Sequence, residues 1–192
     1  MKMTEEINTA CNIMHEGGLI LFPSDTIWGL GCDATSEAAV ERIFAIKRRN
    51  DRSPLLAIVG SLEQLCEYVG MPSDEVLRFM ESFSTPLTIV YPRARHLARN
   101  LLASNGSIGI RLTKDPFVKQ LCLTFGKPIV GTSANVSGQP APQLFNEISQ
   151  EILSGVDYAF EYRRLSPPML YPMLPSSVVR ISADGRYIEF VR

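Results

Sequence analysis

Short apolar runs recur along this 192-residue chain, between stretches whose apolar residues are spaced by three and four. Leu19 to Phe22, Leu55 to Val59, Leu87 to Tyr91, Ile108 to Leu112 and Ile129 to Gly131 have the length of buried strands. Helical stripes lie between them: Ile7, Ala10, Cys11 and Met14; Val40, Ile43 and Phe44; Leu62, Leu65, Cys66 and Val69; Val76, Leu77 and Met80; Phe117, Leu121, Cys122 and Phe125. Few folds accept such an alternation. It predicts an α/β fold (α+β in some schemes), with a twisted mixed parallel and antiparallel sheet flanked by helices. The start and stop signals agree. Thr4, Ser36, Ser61 and Ser73 can cap helices, Asp115 with Pro116 opens another, and Gly126 ends it. Leu144, Ile148 and Ile152 mark a further helix, and Val178 to Ile181 and Tyr187 to Val191 flank a hairpin turn at Ala183-Asp184-Gly185. With no repeat and no low-complexity linker, residues 1–192 read as one domain.

Several strands open into small polar residues. Pro128-Ile129-Val130 leads into Gly131-Thr132-Ser133-Ala134-Asn135-Val136-Ser137-Gly138. Hydroxyls and an amide at a strand's end are what an open α/β sheet offers a small molecule. A turn closed by Gly138 would use the same residue types for local reasons. Leu19 to Phe22 opens likewise into Pro23-Ser24-Asp25-Thr26-Ile27-Trp28-Gly29-Leu30-Gly31, and Pro175-Ser176-Ser177 stands before Val178. The run Lys47-Arg48-Arg49-Asn50-Asp51-Arg52 reads first as a solvated helix end. Lys47, however, continues the stripe Val40, Ile43, Phe44 and points inward, where an ammonium calls for an anion, while Arg48 points out. Arg111 alternates with Ile110 and so lies on the opposite face of its strand. There it could grip a carboxylate with both prongs or form a surface ion pair.

Composition removes several classes. The net charge is −1, without the basic excess of a protein that binds nucleic acid through phosphates. Two histidines, His15 and His96, argue against a histidine triad or a multi-histidine metal site. The four cysteines, Cys11, Cys32, Cys66 and Cys122, form no Cys-x-x-Cys pair and read as buried thiols of a reducing cytoplasm. No apolar run nears the ~20 residues of a membrane span, and the first residues carry no signal-peptide core. A phosphate loop is absent, and Gly29-Leu30-Gly31 is only a fragment of a dinucleotide fingerprint.

Together the polar clusters resemble those of the YrdC-type L-threonylcarbamoyladenylate synthases. Phe22-Pro23-Ser24-Asp25-Thr26-Ile27-Trp28-Gly29-Leu30 is similar to that family's opening motif, and Lys47-Arg48-Arg49-Asn50 with Pro54-Leu55 to its basic element. Ser84-Thr85-Pro86-Leu87-Thr88, Ile108-Gly109-Ile110-Arg111, Thr132 to Gly138, Pro175-Ser176-Ser177-Val178 and the closing Arg192 follow in family order. Ser24 stands for Thr, Trp28 for Tyr, Asn50 for Pro, and Ile58 where some members carry His. Ser84-Thr85-Pro86 lacks the usual glycine, and the resemblance implies a single catalytic domain, without the C-terminal domain of longer members.

The resemblance implies a YrdC-like catalytic domain with a concave ligand-binding face. It implies a cytoplasmic nucleotidyltransferase that makes threonylcarbamoyladenylate and pyrophosphate from L-threonine, bicarbonate and ATP. That product serves tRNA threonylcarbamoyladenosine modification, with tRNA-modification proteins as partners, a weak tRNA contact and no membrane. By motif position, Ser24, Arg111, Ser133 and Ser176 would hold threonine or its carbamate. Lys47, Arg49, Asn135, Gln143 and Arg192 would hold the nucleotide, Lys47 and Arg49 doing the catalytic charge neutralisation. Mg2+ would arrive with ATP rather than on a side-chain cluster. An RNA-binding module using the same basic face, and a non-catalytic nucleotide-binding paralogue, are the alternatives.

Overall fold

A computed structural model describes residues 3–50, 55–165, 176–182 and 188–191. In chain order the regular elements are α1 (Met3–His15), β1 (Ile20–Pro23), β2 (Trp28–Gly31), α2 (Glu37–Ile46), β3 (Leu56–Val59), α3 (Leu62–Val69), α4 (Asp74–Ser82), β4 (Leu87–Tyr91), β5 (Ile108–Leu112), α5 (Pro116–Phe125), β6 (Ile129–Ser133), α6 (Gln150–Gly155), β7 (Tyr158–Ala159), β8 (Ser177–Ile181) and β9 (Ile188–Phe190). The strands form one sheet in the order β7-β1-β2-β6-β3-β5-β4-β8-β9. β7 with β1, β3 with β5 and β4 with β8 are parallel, and the other neighbours are antiparallel. The expected mixed sheet is therefore found.

Period-two alternation sends the strands' side chains to two separate cores. Leu21, Leu30, Ala57, Val59, Ile89, Ile110 and Val130 pack with Val40 and Ile43 of α2, Leu65 of α3, Val76 of α4 and Ile152 of α6. On the other side, Ile20, Phe22, Ile58 and Ile129 pack with Ile7, Cys11 and Met14 of α1 and with Phe117, Leu121 and Phe125 of α5. Local capping chemistry starts the helices. The side chains of Ser36, Ser61 and Ser73 each accept a backbone N–H from the third residue on, and Asp115 accepts those of Phe117 and Val118. Gly126, at φ 77°, closes α5 in the left-handed region.

The structure departs from the sequence reading in four places. β2 was not expected, because glycine weakens a strand signal. Its glycines instead make room for a ring. A Cβ on Gly29 would lie 2.9 Å from Phe22 Cζ, and one on Gly31 would lie 2.8 Å from both Phe22 Cε1 and the Val130 carbonyl oxygen. This explains Gly29-Leu30-Gly31 without a nucleotide. The strand expected to end at Gly131 runs on to Ser133, because Leu30 and Gly29 of β2 pair with Thr132 and Ser133. The helix expected around Leu144, Ile148 and Ile152 is split: the Glu147 carboxylate accepts the N–H groups of Gln143 and Leu144, and Ser149 caps a fresh start at α6. Finally, Thr4 lies within α1 rather than at its cap. The turn at 183–185 falls outside the described residues, while β8 and β9 pair antiparallel on either side of it.

Candidate active site

β1, β2 and β6 end together. Pro23 pairs with Trp28, Gly29 pairs with Ser133, and the Ala134 N–H donates to the Trp28 carbonyl at 3.0 Å. The connection after β1 and the loop after β6 therefore leave the sheet side by side. Each borders a recess.

The first is a cavity of about 680 Å³. Ser24, Asp25, Arg111, Asp115, Gln143 and Arg163 give it polar walls, and Leu77, Met80 and Leu87 of α4 and β4 give it apolar ones. Ser24 Oγ shapes the entrance. It accepts from the N–H groups of Thr26 and Ile27 at 3.2 and 3.3 Å and donates to the Ile27 carbonyl at 2.7 Å. That folds the turn which carries Asp25 toward Arg111, where Asp25 Oδ1 lies 3.6 Å from Nη1. Arg111 is buried, and its Nε donates to Thr88 Oγ1 at 3.5 Å. Thr88 in turn shares a hydrogen bond of 2.9 Å with Ser176 Oγ. Burial pushes the Asp25 carboxyl above the usual carboxylate range, the Arg111 charge opposes this, and the nearby Asp115 charge adds to it.

The second recess, of about 500 Å³, is lined by Lys47, Arg48, Arg49, Asn50, Ser133, Asn135, Ser137 and Gly138. Lys47 follows α2 and is 2% exposed. Its Nζ donates to the carbonyl oxygens of Ser133 and Asn135 at 2.6 and 2.8 Å, and lies 3.4 Å from Asn135 Oδ1. The Lys47 carbonyl accepts the Ser137 N–H at 2.8 Å, so this one residue fastens the helix end to the loop after β6. The burial of the inward Lys47 is thus met within the chain, by main-chain oxygens that accept from its amine. Burial, reinforced by the Arg49 charge, lowers the amine's pKa to about 8. Arg48 points out, as expected, to Glu151 at 2.7 Å, with its backbone at φ 48°.

The expected site residues are thus distributed. Lys47, Arg49, Asn135 and Ser133 share the smaller recess, whereas Ser24, Arg111 and Gln143 line the larger cavity. Ser176 is buried behind Arg111 and linked to it through Thr88. Arg192 lies outside the described residues. Ile58 sits in the core under α1 and α5, beside Gly131. Sequence reasoning missed Asp115 and Arg163. Arg163 Nη1 meets Asp115 Oδ2 at 2.7 Å across 48 residues, a separation that leaves no local pattern. Among the described residues, no group of three or more His, Cys, Asp or Glu side chains is placed to hold a metal ion. Nor is any helix there long and apolar enough to cross a membrane.

Comparison with known proteins places this arrangement in a family. The profile of the Sua5/YciO/YrdC family, described as telomere recombination, matches residues 12–192. A threonylcarbamoyl-AMP synthase of Pseudoalteromonas translucida is 36% identical over 155 residues, covering 79% of this chain and 83% of that protein. The crystal structure of P. abyssi Sua5 complexed with L-threonine superposes with a TM-score of 0.82 at 26% identity. The match takes in 94% of this chain and 52% of that one, so this chain spans about half the length of the P. abyssi protein. The crystal structure of E. coli YciO superposes with a TM-score of 0.78 at 25% identity, covering 97% of this chain and 87% of that one.

Proposed function

The chain belongs to the Sua5/YciO/YrdC family, and from that membership and the site geometry we propose that it is an L-threonylcarbamoyladenylate synthase. It joins L-threonine, bicarbonate and ATP and releases pyrophosphate, supplying tRNA threonylcarbamoyladenosine modification. The observation that carries this reading is the pair of recesses at the shared ends of β1, β2 and β6, one cationic and one with an arginine beside polar and apolar walls. P. abyssi Sua5, whose fold this chain shares, has a crystal structure complexed with L-threonine.

In this reading threonine sits in the larger cavity. Arg111 holds an anionic oxygen of threonine or its carbamate, Ser24 sets the turn beside it, and Ser176 steadies Arg111 through Thr88. The polyphosphate lies in the smaller recess against Lys47 and Arg49, with Asn135 and Ser133 at its border. Gln143 approaches the nucleotide from the larger cavity, and Arg192 completes its binding. The carbamate oxygen attacks the α-phosphorus and pyrophosphate leaves. The protein supplies position and positive charge, and no side-chain nucleophile is required. Magnesium is part of the substrate MgATP, where it neutralises phosphate charge. Among the described residues the recess lining has no carboxylate, and the oxygens there that could contact the ion are those of Ser133, Ser137, Asn50 and Asn135. Pyrophosphate release, measured with threonine and bicarbonate omitted in turn, tests the assignment. Both should be required, and equal release without threonine rejects it.

A further inference from the structure

Two buried or half-buried aspartates line the larger cavity, and their hydrogen-bonding differs. Asp115 is fully committed. Its Oδ1 accepts the N–H groups of Phe117 and Val118 at 2.9 and 3.0 Å, and its Oδ2 accepts from Arg163 at 2.7 Å. Asp25 lines the cavity with 19% of its side chain exposed and meets Arg111 through one oxygen at 3.6 Å, beyond direct hydrogen-bond distance. A carboxylate and a guanidinium at that spacing form a receptor for an amino acid's two charged ends: Arg111 for the anion, Asp25 for the ammonium. Carbamoylation needs that ammonium to lose a proton first, since only the free amine carries a lone pair.

We propose that Asp25 is a catalytic residue that accepts the proton from the amino acid's ammonium before carbamoylation, an inference that rests on the functional reading above. In the first step an N–H bond of the ammonium breaks and the proton moves to the Asp25 carboxylate. In the second, the amine lone pair forms an N–C bond to the bicarbonate carbon. The bicarbonate hydroxyl leaves as water, taking a second amine proton, and the carbamate keeps the negative charge. Asp25 then releases its proton to solvent. Among the described residues, the other charged groups around this cavity are paired, bonded to main-chain oxygens or at its rim. Arg111 faces Asp25 from β5, Asp115 and Arg163 pair with each other, and the Lys114 amine donates to the Met80 and Phe83 carbonyls. Glu81 of α4 is exposed at the rim. The raised carboxyl of Asp25 suits proton acceptance, because a stronger base removes an ammonium proton more readily.

The test is threonine-dependent pyrophosphate release by wild type, D25N and D25E, at about pH 7 and at about pH 10, the latter above the range of an α-amino group. At the lower pH, D25N should be slower than wild type by about 100-fold or more. At the higher pH, solution supplies the free amine, and the ratio to wild type should shrink to within about 10-fold. D25E, which keeps a carboxylate, should retain at least about a tenth of wild-type rate at the lower pH. Comparing variants at one pH cancels the titration of Lys47, which all three share. A D25N deficit that is equal at both pH values, or a D25E deficit as deep as that of D25N, overturns the proposal. A wild type without threonine dependence overturns the functional reading, and this inference with it.

Discussion

Lys47 shows how one buried side chain can tie a helix end to a remote loop. Its aliphatic stem continues the α2 stripe, and its amine ends on the carbonyls of Ser133 and Asn135. Lys47→Ala removes the bonds to both carbonyls, leaving that of Ser133 only the Asn135 N–H at 2.9 Å, and should lower stability by about 1–3 kcal/mol, read from urea denaturation. Its titration gives a second expectation. The amine's pKa falls from an ordinary 10.5 to about 8 in the fold. The unfolded chain thus binds more protons between those values, and stability rises with pH across that window. Below about pH 8 the cost of the buried cation is fully present. Relative to Lys47→Met, wild type should gain about 1–3 kcal/mol between about pH 8 and pH 10. A stability difference that is flat across the window would show that the amine titrates normally. A phosphate beside the amine would reverse the shift. ATP binding near pH 8 should therefore take up a proton in wild type and not in Lys47→Met, measurable by calorimetry in buffers of different ionisation heat.

At the scale of elements, the end of α2 is shaped by an uncommon residue choice. Arg49 N–H bonds the Phe44 carbonyl and Arg48 N–H bonds that of Ala45, both at 3.0 Å. That pattern wants a left-handed residue at its centre, where glycine is usual and where Arg48 sits at φ 48°. Arg48→Gly relieves about 1–2 kcal/mol of left-handed strain. It gives up only an exposed ion pair with Glu151, worth about 0–1 kcal/mol. Thermal unfolding should show a net gain of about 1 kcal/mol, and a loss would mean the Glu151 contact matters more than its exposure suggests. The β1–β2 pair makes the opposite case. Gly31→Ala pushes a methyl against both the Phe22 ring and the Val130 carbonyl, and the second cannot move without parting β2 from β6. A cost of about 1–3 kcal/mol is expected in denaturant unfolding.

Across the whole molecule, one sheet runs from β7 to β9 with a core on each face. Neither core closes without the shared strands, so unfolding should be a single cooperative event. Trp28, the one tryptophan, is buried between β1 and β6, lines the larger cavity and meets Phe145 edge-on with ring centroids 4.9 Å apart. Its fluorescence and the far-ultraviolet circular dichroism should change at the same denaturant midpoint, and separate midpoints would mean that the two faces unfold apart.

The sequence by itself determined the α/β class, most helix starts and the family motifs, because those signals are local. A serine reaches the N–H three residues on, a stripe repeats within two turns, and an apolar run needs no distant partner to be read. Tertiary structure alone decided the rest. Whether Gly29 and Gly31 belonged to a loop or a strand depended on the Phe22 ring above them. What the Lys47 amine met depended on carbonyls 86 and 88 residues away, and what Asp115 held beyond its helix depended on Arg163. The division of Ser133 and Ser24 between two recesses followed from the β1-β2-β6 order. These are electrostatic and steric contacts between remote residues, and their energies depend on distances that exist only once the chain has folded.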